Sequence, residues 1–341
     1  MLGASKSSGT LAYTGKLRLL LARIAAVALT ALPMTIRPSF AEPEPAKTSE
    51  GKTTDLSMPG SSPKDANKIA RPMNQDFVPE NAFYGGVGIG VGIVSFGEQY
   101  VYNKGISQVY KDGSLVSTGV AEGPASPNPY LPASASLAPV AQLGYFSKIK
   151  KSSWLWGTKL SYAYLGVSST PQVLAIPQSG TSTSSTSSSY NGTSYNTYSI
   201  RANSQFALMP FIGKSFRNGF VYGGAGVALT QVQTSLNDVV GYATFEGVNT
   251  NVSGPAQNFS ATQWAYGVAA TAGITYFLSK SVFVDLSYTF SSPNASSVDV
   301  SSPFSNPSTS PTSPSYYGTL IGSATTNLVT NVISLTINTK F

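Results

Sequence analysis

The sequence predicts an all-β chain, an eight-stranded antiparallel transmembrane β-barrel. Three observations predict it. Apolar residues recur at every second position through eight segments, the period of a strand rather than of a helix. The apolar rows run over the roughly 9–11 residues that a tilted strand needs to cross a bilayer. The connections between the segments alternate between short and long.

Before the first strand the chain reads as an export leader and a spacer. Lys6, Lys16, Arg18 and Arg23 form a basic start, Ile24 to Leu32 (IAAVALTAL) a short apolar core, and Ser39 and Ala41 the small residues a signal peptidase requires. The expected signal peptide is 1–41, with cleavage between Ala41 and Glu42. The leader, with Arg37, holds five positive charges, so its removal takes the formal net charge from +7 to +2 and leaves little support for nucleic-acid binding. Residues 42–80 are rich in Pro, Lys, Ser, Glu and Asp. They read as a disordered or extended periplasmic segment, a spacer or an arm near peptidoglycan. The barrel is expected over 81–341.

The strands follow in order. The first, Ala82 to Phe96, sets Phe83, Val87, Ile89, Val91 and Ile93 against Tyr84, Gly86, Gly88, Gly90 and Gly92. So many glycines would ruin a helix. The second runs from Ala138 to Lys148, the third from Trp154 to Ser168, the fourth from Tyr198 to Gly213 and the fifth from Phe220 to Thr234. The sixth spans Thr262 to Leu278, the seventh Ser281 to Phe290, and the last about Thr326 to Phe341. Short turns join strands two and three, four and five, and six and seven. The long connections, roughly 97–137, 169–197, 235–261 and 291–325, are dominated by Ser, Thr, Asn, Pro, Gly and Tyr and read as low-complexity loops. Ten strands result if 97–137 hides a hairpin such as YVYNKGISQVYKDGSLVSTGV.

Sidedness separates a membrane barrel from a soluble one. A soluble barrel needs an apolar interior, and here the row opposite the apolar one is Gly, Ser, Thr, Asn or Asp, a poor soluble core. Aromatics near the strand ends, Tyr145, Phe146, Trp154, Trp156, Tyr276 and Phe277 at one rim and Tyr100, Tyr164, Trp264 and Tyr266 toward the other, fit two interfacial girdles. The short turns carry Lys148, Lys150, Lys151, Lys214, Arg217 and Lys280 and no acid.

The chain ends in SLTINTKF, strictly alternating to its aromatic terminus, as a strand must if it pairs with the first to close a barrel. That ending, with the leader, spacer and eight strands, resembles the small outer-membrane barrels of Gram-negative bacteria: the OmpA transmembrane domain and the OmpX, opacity-type and Omp25/Omp31-like proteins. The resemblance implies short periplasmic turns and long extracellular loops in the bacterial outer membrane. It also implies contact with outer-membrane lipid and lipopolysaccharide, and delivery by periplasmic chaperones to the barrel assembly machinery. That machinery would read Leu335, Ile337, Thr339 and Phe341 as a C-terminal signal.

No His and no Cys occur. The enzymatic barrels of that superfamily use a catalytic His, so no enzyme, no catalytic residue, no metal site and no cofactor is expected. GGVGIGVG does not match G-x-G-x-x-G and reads as a strand with a small inner row. By parity Lys159, Arg201, Asp285 and Lys340 point into the lumen. Lys159 and Asp285 lie at similar heights on the third and seventh strands, which face each other, so either they pair, directly or through water, and help to plug the lumen, or each reaches separately into lumenal water. The expected role is structural or surface-interacting, with Tyr190, Tyr195, Tyr198, Tyr316 and Tyr317 in loops that either present an adhesive surface to a host or surface ligand or form a solvated brush. The alternative is a narrow porin for small solutes or ions.

Overall fold

The computed structural model describes residues 78–310 and 312–341. The signal segment, Ala41, Glu42 and most of 42–80 lie outside the described residues. The strands in chain order are β1 (Asn81–Ser95), β2 (Gly97–Glu98), β3 (Tyr100–Lys111), β4 (Ser114–Pro124), β5 (Tyr130–Leu131), β6 (Ser134–Lys148), β7 (Trp154–Ser168) and β8 (Gln172–Thr183). They continue with β9 (Ser187–Phe216), β10 (Gly219–Phe245), β11 (Val248–Asn251), β12 (Gln257–Phe277), β13 (Val282–Pro293), β14 (Ser296–Asn306), β15 (Ser315–Thr326) and β16 (Val329–Lys340).

Eight of them close a ring in which every pair is antiparallel: β1–β6–β7–β9–β10–β12–β13–β16 and back to β1. The closing ladder runs from Tyr84↔Lys340 to Ser95↔Val329. The Phe341 N–H also donates to the Phe83 carbonyl at 3.0 Å. Because β16 is paired on both sides, it has no free edge, which accounts for its alternation up to the terminus. The glycine row of β1 serves this seam: a Cβ at Gly90 would stand 2.5 Å from the Ile333 carbonyl oxygen of β16.

The outer wall of the ring is apolar. Ile89, Leu137, Leu208, Val227, Leu286 and Ile337 lie 68%, 75%, 48%, 59%, 48% and 60% exposed on six different strands. An exposed apolar belt that circles the molecule is far larger than a water-soluble monomer tolerates. Trp154, Trp156 and Tyr276 at the short-turn end and Tyr164, Trp264 and Tyr266 at the other bound it from the outside. Phe146 and Phe277, expected in the girdle, turn inward and are buried.

The long connections are not irregular loops. Strand β9 has 30 residues and, at ~3.3 Å per residue, is about 100 Å long, several times what a bilayer crossing uses. It and β10 rise out of the ring as masts. Around them the sheet continues in the order β14–β15–β3–β4–β8–β9–β10–β11. Residues 97–137 do hide a hairpin, β3–β4, but it joins this upper storey, and the ring keeps eight strands. Side chains of β14 reach across to the other end of the upper sheet: Asn306 Nδ2 donates to the Asn251 carbonyl of β11 at 2.9 Å, and Ser302 Oγ to Gln257 Oε1 at the start of β12 at 3.3 Å.

The storey is held by an apolar interior. Val101, Ile176, Tyr198, Ile200, Val232, Leu236, Phe259, Phe304 and Leu320 belong to one buried cluster. Its outer face is rich in Ser, Thr and Pro, with single apolar residues such as Val173: along β8, Ala175, Pro177, Ser179 and Thr181 are exposed, while Leu174, Ile176, Gln178 and Gly180 are buried.

Candidate functional site

The lumen is the first place to look for function, and it is filled in layers. The lowest is an aromatic floor of Tyr84, Phe146, Phe211, Phe220, Tyr222, Phe277 and Phe283, joined by Val78. Ring centroids stand 4.9 Å apart for Phe277–Phe283 and 5.1 Å for Phe146–Phe220, normal packing distances. Glycines make room for the largest rings: a Cβ at Gly273 would lie 2.5 Å from the Tyr222 ring carbon that bears the hydroxyl.

Above the floor lies a polar layer centred on Asp285 of β13. Lys159 of β7 approaches it, with Nζ 3.6 Å from Oδ2. Lys159 Nζ also donates to the Tyr222 hydroxyl at 2.8 Å, and that hydroxyl stands 3.0 Å from both carboxylate oxygens. Thr275 Oγ1 donates to Oδ1 at 3.0 Å. Gln142 Nε2 lies 2.8 Å from Thr336 Oγ1 and Asn338 Oδ1 and 3.3 Å from Asp285 Oδ2. The cluster thus ties β6, β7, β10, β12, β13 and β16 together across the lumen. One cation and one anion balance, and hydrogen bonds satisfy both, the condition under which a buried pair is tolerated. A second layer follows, where the Gln205 amide reaches Thr230 at 3.2 Å and Thr330 at 2.7 Å, and also Ser291. The void among Gln142, Lys159, Gln205, Ser287 and Ser334 is only about 10 Å³, roughly the space of one water.

Each charged residue expected in the lumen has a definite place. Lys159 and Asp285 are buried at 2% and 3% exposure and adjacent. Lys340 is half-buried at the short-turn end, where its N–H donates to the Ser281 carbonyl at 2.9 Å. Arg201 is not lumenal. It is exposed on the outer wall, where its Nη2 donates to the Tyr164 hydroxyl at 3.3 Å. The cause is a β-bulge. Between Gln205 and Ala202, β9 advances three residues while β10 advances two, from Thr230 to Val232. An inserted residue reverses the side on which every later residue falls. Gln205 below the bulge faces inward, and so do Ala202 and Ile200 above it. Leu335, Ile337, Thr339 and Phe341 all face outward and are exposed.

Tyr222, Gln142, Gln205 and Thr275 were not singled out from sequence, although a signal was there. Tyr222 and Tyr84 are bulky polar residues that directly precede runs of Gly and Ala in their inner rows, Gly224, Gly226 and Ala228 after one and Gly86, Gly88, Gly90 and Gly92 after the other. Counting up from the turns puts Tyr222 near the height of Asp285.

A closed ring, an apolar outer belt bounded by aromatics and a sealed polar lumen decide the type. The chain is a small membrane-type β-barrel with an ordered β-sheet storey. No family model and no curated protein matches its sequence. Among solved structures, the outer membrane protein OprG from Pseudomonas aeruginosa aligns at 12% identity and a TM-score of 0.31, covering 77% of this chain and 99% of that one. Ail, the attachment invasion locus protein of Yersinia pestis, aligns at 11% identity and TM-score 0.25, over 72% and 99%. Neisserial surface protein A aligns at 10% and 0.23, over 73% and 99%. Among the described residues no group of three or more His, Cys, Asp or Glu could hold a metal ion.

Proposed function

We propose that the protein is a non-enzymatic outer-membrane surface protein whose working part is the β-sheet storey. The observation that carries this reading is the contrast between a packed lumen and a β-sheet platform. The barrel has an aromatic floor, two polar layers and a void of about 10 Å³. The storey instead spends more than half of β9 and β10 holding an ordered, hydroxyl-rich surface above the belt. In this reading the leader is cleaved after Ala41. Chaperones and the assembly machinery receive the chain through the exposed row Leu335, Ile337, Thr339 and Phe341, and lipopolysaccharide surrounds the belt. The short turns face the periplasm, and the storey meets host or abiotic surfaces.

The test separates this from the narrow-porin alternative. Refolded residues 42–341 should give no conductance steps in a planar bilayer while showing heat-modifiable gel mobility. In cells, a trimmed barrel should lose adhesion while still reaching the surface. Its trims replace 103–123 and 298–324 with Asn-Gly turns at the Tyr102↔Pro124 and Ser297↔Thr325 rungs. Uniform current steps, or unchanged adhesion of the trimmed barrel, would overturn the proposal.

A further inference from the structure

At the far end of the storey two hairpin ends stand side by side: the β3–β4 turn at Asp112–Gly113 and the connection between β14 and β15. Between them lies a cleft of about 570 Å³, inside the ~300–1,000 Å³ range of small-molecule sites. Its floor is four residues on two rungs of one face, Ser315↔Tyr110 and Tyr317↔Gln108, separated by the rung Tyr316↔Val109. The two tyrosine rings meet edge to face, 5.7 Å between centroids and 81° between planes. Tyr317 keeps 36% of its surface exposed. Ser308, Thr309, Ser310 and Ser313 make one wall. That wall is tied to the floor where Ser315 Oγ accepts the Ser308 N–H at 2.9 Å, and it is braced within itself where Ser308 Oγ donates to the Ser310 carbonyl at 3.0 Å. Asp112 forms the other wall, its left-handed φ of 49° followed by 75° at Gly113, as a two-residue Asp-Gly hairpin turn requires.

The chemistry of this lining is selective. It has five hydroxyls on Ser and Thr, one amide that both donates and accepts, one carboxylate and two phenol rings. No Lys or Arg lines it, so a phosphate or sulfate finds no counter-charge. No aliphatic side chain lines it, so an acyl chain gains nothing by entering. What remains is a ligand that is neutral, carries many hydroxyls and offers C–H faces to an aromatic ring. We propose that this cleft binds neutral carbohydrate, with Tyr317 stacking on a sugar face and Gln108 and Asp112 hydrogen-bonding adjacent hydroxyls. A hydroxyl that donates to the carboxylate forms a charge-assisted bond, the strongest polar contact available there. The inference rests on the surface-interaction reading and names its ligand class.

The experiment uses the mature protein in lipid nanodiscs and a panel of neutral probes: maltotriose, chitotriose and N-acetyllactosamine. Binding is read by saturation-transfer NMR and calorimetry. At least one probe should bind. Tyr317→Ala should weaken it about tenfold, as expected for removal of a central aromatic contact. Asp112→Asn, which tolerates the same left-handed backbone, should weaken it several-fold. Ser189→Ala, away from the cleft, should change nothing. Failure of all three probes to bind the wild type overturns the proposal, as does unchanged binding in both variants or preference for a sulfated oligosaccharide. If wild-type cells still adhere and the trimmed barrel does not, the surface-interaction reading stands while the carbohydrate assignment falls.

Discussion

The ring and the storey share β9 and β10 and the same alternation, and above the aromatic floor they are inside out relative to each other. In the ring, above its aromatic floor, the buried residues include Gln142, Lys159, Thr275, Asp285, Thr336 and Asn338, and the exposed ones include Ile89, Leu137, Leu335 and Ile337. In the storey the buried residues are Ile176, Val232, Leu236 and Leu320, and the exposed ones are Ser179, Thr181, Ser301 and Ser305. The solvent accounts for the inversion. Below the rim the wall faces hydrocarbon, so apolar groups gain nothing by turning inward and polar groups must. Above the rim the wall faces water, and the usual hydrophobic burial returns. The switch falls where the ladders slip, at Gly166 of β7 with its φ of 58° and between Ala202 and Gln205 of β9.

The largest test of this contrast lies in the lumen. Asp285→Ala leaves the Lys159 ammonium buried beside Tyr222 without its counter-charge. It should cost about 3–5 kcal/mol, the range for breaking a buried pair from one side. Urea unfolding of the protein refolded in vesicles would measure it. Lys159→Met combined with Asp285→Leu should recover most of the loss, because the cost is the orphaned charge rather than the missing attraction. Next in size is a charge on the outer wall. Ile89→Arg places a guanidinium in mid-belt and should cost about 2–4 kcal/mol. Thr181→Arg, outward on β8, should stay within about 0.5 kcal/mol. Equal costs at the two positions would remove the claim that the two regions face different solvents.

How much of this was legible in the sequence depends on how local each signal is. Alternation is local, so the eight ring strands could be read, and so could the facing heights of Lys159 and Asp285. The bulge that turns Arg201 outward is one residue long and leaves the spacing of polar and apolar residues unchanged; it shows only in the ladders to β10 and β7. The storey was read as loop because its contrast is weak. On β9 the inward row of Gly192, Ser194, Asn196 and Tyr198 looks like the outward one. Those residues become strand through their neighbours on β8 and β10, a tertiary cause that composition does not display. One local cue was available, the Asp112-Gly113 pair between alternating stretches, which marks the β3–β4 hairpin.

The smallest effect sharpens the comparison from the storey side. Lys104 Nζ and Glu122 Oε2 pair at 2.9 Å on the outer face, with 34% and 46% of their side chains exposed. The hydrogen bond from Lys104, then that from Tyr102, holds the Glu122 carboxyl below its usual value of 4.5. A carboxyl lowered by folding adds stability that is fully present above the unfolded value and is lost as pH falls through the folded one. The storey should therefore lose this contribution only in acid, below about pH 4.5. The pair is exposed and screened by salt, so the loss should be small. A carboxyl-carbon NMR titration should find Glu122 below the ordinary range, and Lys104→Gln should return it toward 4.5. Raising salt to about 1 M, where the Debye length falls to ~3 Å, should move it the same way. The ring should not respond to the same salt, because Lys159 and Asp285 are sealed from solvent at 2% and 3% exposure. A salt-dependent stability that follows Asp285 rather than Glu122 would mean that ions reach the lumen, and the packed interior would have to be redrawn as an open one.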